Sequence, residues 1–314
     1  MNTIQTLYGP IGPVDFVEIG PEGHITSCVP MAPITFNTPL GPLTAQHSTD
    51  DMRRPKVDPI EFHPNGAIRS LSLDERTVVP TPIGDIEAEL VTFYPDGSLR
   101  RVFPLNGKLS GYWTEKEEAR LAGPVTVPTP AGTVTAKLVN VQFYPSGGVR
   151  SVTLWPGDTV EIETPIGPKS VRIGLAFHKN GKLRSFEPAK MTTVPTPLGD
   201  MEAFDPDAEG IHGDLGSLSF HEDGSVATLA TPLNTLEVTL PGGEKRAFSP
   251  ATVPNLCDER VMDISPLRIC FHPGKIALGE DCAESFPFAG HQFKVGRRLQ
   301  DCFAPISYEC GICG

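Results

Sequence analysis

Apolar and polar residues alternate along much of this chain, in short runs that end at Gly and Pro. Val139, Val141 and Phe143 fall on one side of such a run, with Asn140 and Gln142 on the other. Ile173, Leu175 and Phe177 repeat the pattern, as do Val91 with Phe93 and Ile60 with Phe62. A period of two sends alternate side chains to opposite faces of a strand, so each run predicts a β-strand with one buried and one wet face. Beyond the next turn the alternation breaks. Leu99, Arg101 and Phe103 share one side while Arg100 and Val102 share the other, which predicts either a bulge or a sheet covered on both faces. Only Thr114 to Ala122 reads as a helix. Thr114 and Glu117 are spaced as a capping box and Gly123-Pro124 stops the segment, giving about two turns that we expect to decorate the surface.

The turns between the runs recur. One phrase, Phe, then Tyr or His, Pro, a polar residue, Gly, and later an aliphatic and Arg, is clearest at Phe93 to Arg100 and Phe143 to Arg150. Phe62 to Arg69 and Phe177 to Arg184 are good copies, and weaker ones lie at Phe16 to Thr26, Phe220 to Ala227 and Phe271 to Ile276. A second signal, Thr-Pro-x-Gly, precedes most copies, at Thr38, Thr81, Thr129, Thr164 and Thr196. Pro presets φ at a turn corner and Gly supplies positive φ, so each unit reads strand, turn, strand, turn, strand. The expected fold is all-β: a tandem β-hairpin repeat array over residues 1–250, an elongated meander sheet, with a small cysteine-rich C-terminal cap over 251–314. The alternative is a β-propeller, whose blades recur about every 40 to 45 residues.

The stretch Phe93-Tyr94-Pro95-Asp96-Gly97-Ser98-Leu99-Arg100, followed by Asn106-Gly107-Lys108-Leu109, resembles the Tyr-x-x-Gly-x-Leu-x hairpin phrase of MORN-type repeats. The variant found in bacterial antitoxin-like proteins is the nearest in pattern. The resemblance spans roughly residues 14 to 230 as short phrases and leaves out the Thr-Pro-x-Gly turn. It implies an elongated single-sheet hairpin array acting as a scaffold or binding surface.

Composition narrows the partners. The 33 prolines and 31 glycines sit largely at turn positions between apolar strands, which favours ordered hairpins over disorder. A formal net charge of −12 argues against nucleic acid or an anionic membrane as the main partner. The first ten residues have neither a cationic nor an apolar leader region, and no run approaches the ~20 apolar residues of a spanning helix. The expectation is a cytoplasmic protein.

No nucleophile elbow, phosphate loop or zinc-protease helix occurs in the sequence, so the reading leans away from an enzyme. Aligning the repeats puts His63, His178, His221 and His272 at one position, with Tyr94 and Tyr144 in the same place elsewhere. Because His and Tyr interchange, the row reads as rings lying against the turn with the polar end wet, rather than as a metal ladder. Arg69, Arg100, Arg150 and Arg184 also align. They are either a cationic stripe for an acidic peptide or phosphate, or charges paired across strands with residues such as Glu87 or Glu89. Asp205, Asp207, Glu209 and Asp214 gather near His212 with spacing that fits no calcium loop, and read as a solvated acidic loop.

The cysteines cluster late. Cys28 stands apart from Cys257, Cys270, Cys282, Cys302, Cys310 and Cys313. Cys310 and Cys313 form a Cys-x-x-Cys that could face one ion, and zinc would need two further ligands, with Cys302 and Cys282 as the candidates beside Cys270, His272 and His291. An iron–sulfur cluster fits the spacing less well. A redox dithiol, a disulfide, or reduced cysteines buried in a cap that closes the array are the other readings. The favoured function is a non-enzymatic cytoplasmic repeat scaffold that uses one sheet face for a protein or polyanionic partner. The alternative is a metal-binding or thiol-redox protein with its site at the C-terminal cysteines.

Overall fold

In a computed structural model, residues 2–208, 216–255, 258, 260–279 and 282–298 are described. The chain divides into two compact units, residues 1–192 with 208–228, and residues 193–207 with 229–314. The division thus falls before the expected boundary at 250. Residues 193–207 join the second unit through hydrogen bonds such as Phe204 N–H to the Ala230 carbonyl, 3.0 Å, and Glu202 N–H to Asn234 Oδ1, 2.7 Å.

The first unit is an antiparallel meander in which strands consecutive along the chain pair with one another. Ile68–Thr81 pairs with Gly84–Phe93, which pairs with Leu99–Phe103. Gly132–Phe143, Val149–Leu154, Lys169–Phe177, Leu183–Pro188 and Leu218–Phe220 continue it. Pairing runs on through the meander and does not break into four-stranded blades.

One cross-strand row shows why the hydrophobic runs select this arrangement. Leu71, Val91, Val102, Val141, Val152, Leu175, Phe186 and Leu218 are each paired with the next, and every one is 0 % exposed. Directly opposed side chains on one face are the unit of sheet stabilisation, and full burial of each contributes about 1.5–3 kcal/mol. The neighbouring row faces the other way. It runs Ser27, Glu61, Ser70, Thr92, Arg101, Gln142, Ser151, Ala176, Ser185 and Ser219. That polar face is not uniformly wet: Gln142, Ser151 and Ser185 are buried, with Gln142 accepting from Arg101 at 2.9 Å.

The broken alternation has a bulge as its cause. Thr92 opposes Arg101 and Phe93 opposes Leu99, leaving Arg100 as the extra residue. Arg150 is extra between Val149 and Ser151, Arg184 between Leu183 and Ser185, and Arg69 between Ile68 and Ser70. In each of these four repeats one residue is looped out of register, which in the second lets Leu99 and Val102 both reach the core.

Both turn types carry their own fastenings. In Thr-Pro-x-Gly the threonine hydroxyl donates to the glycine carbonyl, at 2.9 Å from Thr38 to Gly41, 2.6 Å from Thr129 to Gly132 and 2.6 Å from Thr164 to Gly167. The same hydroxyl accepts from the residue between, as Thr38 does from Leu40 N–H at 3.1 Å. At the second turn Tyr94 N–H donates to Ser98 and Gly97 N–H to Tyr94. Gly97 takes φ of +84°, which disfavours any side chain there.

The His and Tyr side chains link one repeat to the next. Tyr94 Oη donates to the Phe143 carbonyl at 2.9 Å, and Tyr144 Oη to Phe177 at 2.8 Å. His63 Nε2 donates to Phe93 at 3.0 Å and His178 Nε2 to Phe220 at 2.9 Å. The polar ends expected to be wet are instead bound to the following hairpin, and the Phe93, Phe143 and Phe177 carbonyls lie beside a bulge where ladder bonding is interrupted. The prolines add a second contact. A Cβ on Gly147 would lie 3.3 Å from Pro82 and one on Gly181 3.3 Å from Pro130, so each first turn rests on a later second turn.

The second unit contains small separate sheets as well as strands of the large one. Asn234–Thr239 is flanked by Lys245–Phe248 and Gln292–Arg297. Ala251–Pro254 pairs with Met262–Ser265, and Lys275–Leu278 lies between Leu267–His272 and Glu284–Pro287. Strands therefore continue past 278, within the stretch expected to be a cysteine-rich cap. The alternation of Phe293 with Val295 is the signal for the last of them.

If the inter-repeat bond matters, Tyr94→Phe should lower unfolding free energy by about 1–3 kcal/mol, the cost of stranding a buried carbonyl. His63→Tyr should be tolerated and His63→Phe should not. Urea titrations check all three, and an unchanged midpoint for both Phe variants would refute the role.

Candidate functional site

The four aligned arginines keep one register. Arg69, Arg100, Arg150 and Arg184 immediately precede Ser70, Arg101, Ser151 and Ser185 of the polar row, so successive members sit two strands apart. Their settings differ. Arg69 is exposed and pairs with Glu61 at 3.2 Å. Arg100 and Arg150 are half-buried, with the guanidinium carbon 5.8 Å from the ring centre of Tyr94 and Tyr144 of their own hairpins. Arg184 is half-buried too. The tyrosine thus does two jobs, binding the next repeat with its hydroxyl and seating an arginine on its face. Sequence aligned both rows but could not show that they touch.

Glu89, considered as a strand partner for this row, lies elsewhere. It is buried and accepts from Arg53 Nη2 at 2.6 Å, from Asn106 N–H at 2.8 Å and from Arg76 at 3.4 Å. Glu118 completes the group. It takes Arg53 Nε and Nη2 at 2.8 Å each, Trp113 Nε1 at 2.7 Å and Gly107 N–H at 2.8 Å. The helix Glu115–Leu121 has the expected capping box on Thr114, yet it is no decoration: its Glu118 is 3 % exposed and holds buried Arg53. A Cβ at Gly107 would collide with that carboxylate. Beside it Asp58 accepts from Ser72 at 2.7 Å, Asn106 at 2.9 Å and Lys108 at 2.9 Å.

The electrostatics of this group favour fixed charge. Burial alone would raise the Glu118 pKa, but hydrogen bonds from Arg53 and Trp113 outweigh it and hold the carboxyl below its usual range. Asp58 is held down in the same way by Ser72, Lys108 and Asn106 against its own burial. Arg53 keeps its proton because the hydrogen bonds it donates to Glu118 and Glu89 overcome desolvation. A carboxylate so held is a poor proton donor near neutral pH, and the paired acids serve as an anchor for the inserted helix.

The remaining candidates do not converge. His63 and His178 are occupied by inter-repeat bonds, and His272 lies exposed at the end of its strand opposite Lys275. Of the acidic cluster, Asp207 N–H bonds Asp205 at 3.1 Å, while Glu209, His212 and Asp214 lie outside the described residues. Among the described residues, no group of three or more His, Cys, Asp or Glu could hold a metal ion.

Cys302, Cys310 and Cys313 lie outside the described residues. Cys282 is bonded to Cys270 in a disulfide, so in this state its sulfur has no thiolate to give a metal. Cys28 pairs with Ile60 in the sheet and is 0 % exposed, and burial pushes its thiol up to about 11. No protein-family model matches the chain, and no curated protein matches it in sequence.

These groups make three predictions. Glu118 has a folded pKa below its ordinary 4.5. Its stabilisation is therefore present above that pH and lost as pH falls through the lowered value. Glu118→Gln should cost about 3 kcal/mol at pH 7, by breaking a buried pair, and should flatten the acid limb of a stability–pH curve. Replacing Cys270 and Cys282 together by Ala should cost about 2–4 kcal/mol. Thiol titration of the native protein should leave Cys28 unmodified until denaturant is added.

Proposed function

We propose that the protein is a non-enzymatic repeat scaffold that uses the arginine-bearing face of its meander for a protein or polyanionic partner. The observation that supports this most directly is the placement of one arginine at the bulge of each of four successive repeats, in one register. A bulge re-aims a side chain, and repeating it places the same cation at regular intervals along the row. The chain's net charge of −12 makes this row a local exception, which suits selective attraction of an anionic segment over general adhesion.

A cytoplasmic setting, expected from the sequence, must accommodate the Cys270–Cys282 disulfide. Such bonds persist in oxidising compartments, so in the cytoplasm this one would be held reduced.

Retention on a heparin column tests the reading. The intact protein should be retained at low salt despite its overall acidity. Arg69, Arg100, Arg150 and Arg184 all changed to Gln should pass through, with the melting temperature confirming that the variant is folded. Flow-through of the intact protein on both heparin and immobilised polyglutamate would overturn it.

A further inference from the structure

We infer that the arginine row fits an acidic, proline-rich segment in the polyproline II conformation, with a carboxylate at every third residue. This rests on the binding face proposed above and names its ligand class. The argument begins with spacing. Successive row members are separated by one intervening strand: Gly84–Phe93 stands between the strands of Arg69 and Arg100, and Lys169–Phe177 between those of Arg150 and Arg184. Two strand widths are about 9.4–9.8 Å. A polyproline II helix has three residues per turn at about 3.1 Å each, so every third side chain recurs at about 9.3 Å. Four such carboxylates would stay with four arginines to within about 1–2 Å, well inside the reach of the side chain.

Other conformations lose the register. In an extended β-peptide, side chains on one face recur at about 6.6 Å, so the second carboxylate already falls roughly 3 Å short. A helix presents one face every seven residues at about 10.5 Å, about 1 Å too long at each step and about 2–3 Å too long over four arginines. The polyproline period matches two strands most closely.

The chemistry of the row agrees with its geometry. Arg100 and Arg150 are seated on Tyr94 and Tyr144 at 5.8 Å. A guanidinium held on a ring has less rotamer freedom to lose when a carboxylate arrives. Each of these rings is followed by an exposed proline, Pro95 and Pro145, and ring-and-proline surfaces accept a polyproline helix because its backbone is already ordered. Arg69 differs: it is exposed and engaged by Glu61 at 3.2 Å, so an incoming carboxylate must displace that partner. Arg100 and Arg150 are the anchors because their guanidinium groups are seated on the Tyr94 and Tyr144 rings.

Three fluorescein-labelled peptides of one composition, four Glu and eight Pro, separate the possibilities by anisotropy at low salt. One has four Glu-Pro-Pro triplets, one alternates Glu with Pro before a proline tail, and one carries all four Glu in a block. The triplet peptide should bind the intact protein at least about tenfold more tightly than either isomer, a difference of about 1.4 kcal/mol. Arg100→Gln with Arg150→Gln should remove that preference. Equal affinity for all three would overturn the register inference while leaving a polyanion-binding face. No binding of any peptide, together with no retention on heparin, would overturn both. Because the isomers are compared on the unaltered protein, the test does not depend on the variant folding.

Discussion

A β-bulge in each of the four arginine-bearing repeats sets the terms for the rest of this structure. A bulge interrupts the ladder and leaves backbone groups to be satisfied by other means. Here the carbonyls of Phe93, Phe143, Phe177 and Phe220 accept from a His or Tyr of the preceding hairpin. Without the bulge, Leu99 and Val102 could not both face the core, and the row from Leu71 to Leu218 would lose its continuity. Without the ring donor, each bulge would strand a polar group. The Phe-Tyr/His-Pro-x-Gly-x-aliphatic-Arg phrase is thus one physical device. Its Phe carries the acceptor, its ring the donor for the next unit, its Gly the tip and its Arg the residue left over.

The same device explains why His and Tyr interchange. Both present a ring that spans the gap and end in an N–H or O–H donor, and no chemistry particular to imidazole is asked of the site. It also places the arginine. A residue outside the ladder is free to carry charge without disturbing the pairing on either side, and the tyrosine that fastens the repeat offers its ring face to it. Structural fastening and a repeated cation therefore arise from neighbouring residues of one turn.

The buried ion group around Arg53 obeys a different logic. Glu89 comes from a meander strand and Glu118 from the inserted helix, and both converge on the guanidinium of Arg53, a residue 6 % exposed. Charges removed from water demand partners, and this group supplies them with Arg53, Arg76, Trp113 and the backbone of Asn106 and Gly107. The insertion is anchored at the cost of rigid geometry, which is why Gly107 admits no side chain.

By itself, the amino-acid sequence determined the local structure: alternation made strands, Thr-Pro-x-Gly and Pro-x-Gly made turns, and Thr114 with Glu117 started the helix Glu115–Leu121. These signals are local because φ restriction, side-chain period and capping act within a few residues. The alignment of His, Tyr and Arg positions was also legible, since repeats copy residues together with their backbone. Only the tertiary structure decided what those residues do. That Tyr94 reaches Phe143, that Arg100 lies over Tyr94, that Glu118 meets Arg53 across 65 positions and that Cys270 joins Cys282 all depend on which strands become neighbours and where register slips. Pairing and register are cooperative properties of the whole sheet, and no window of sequence contains them.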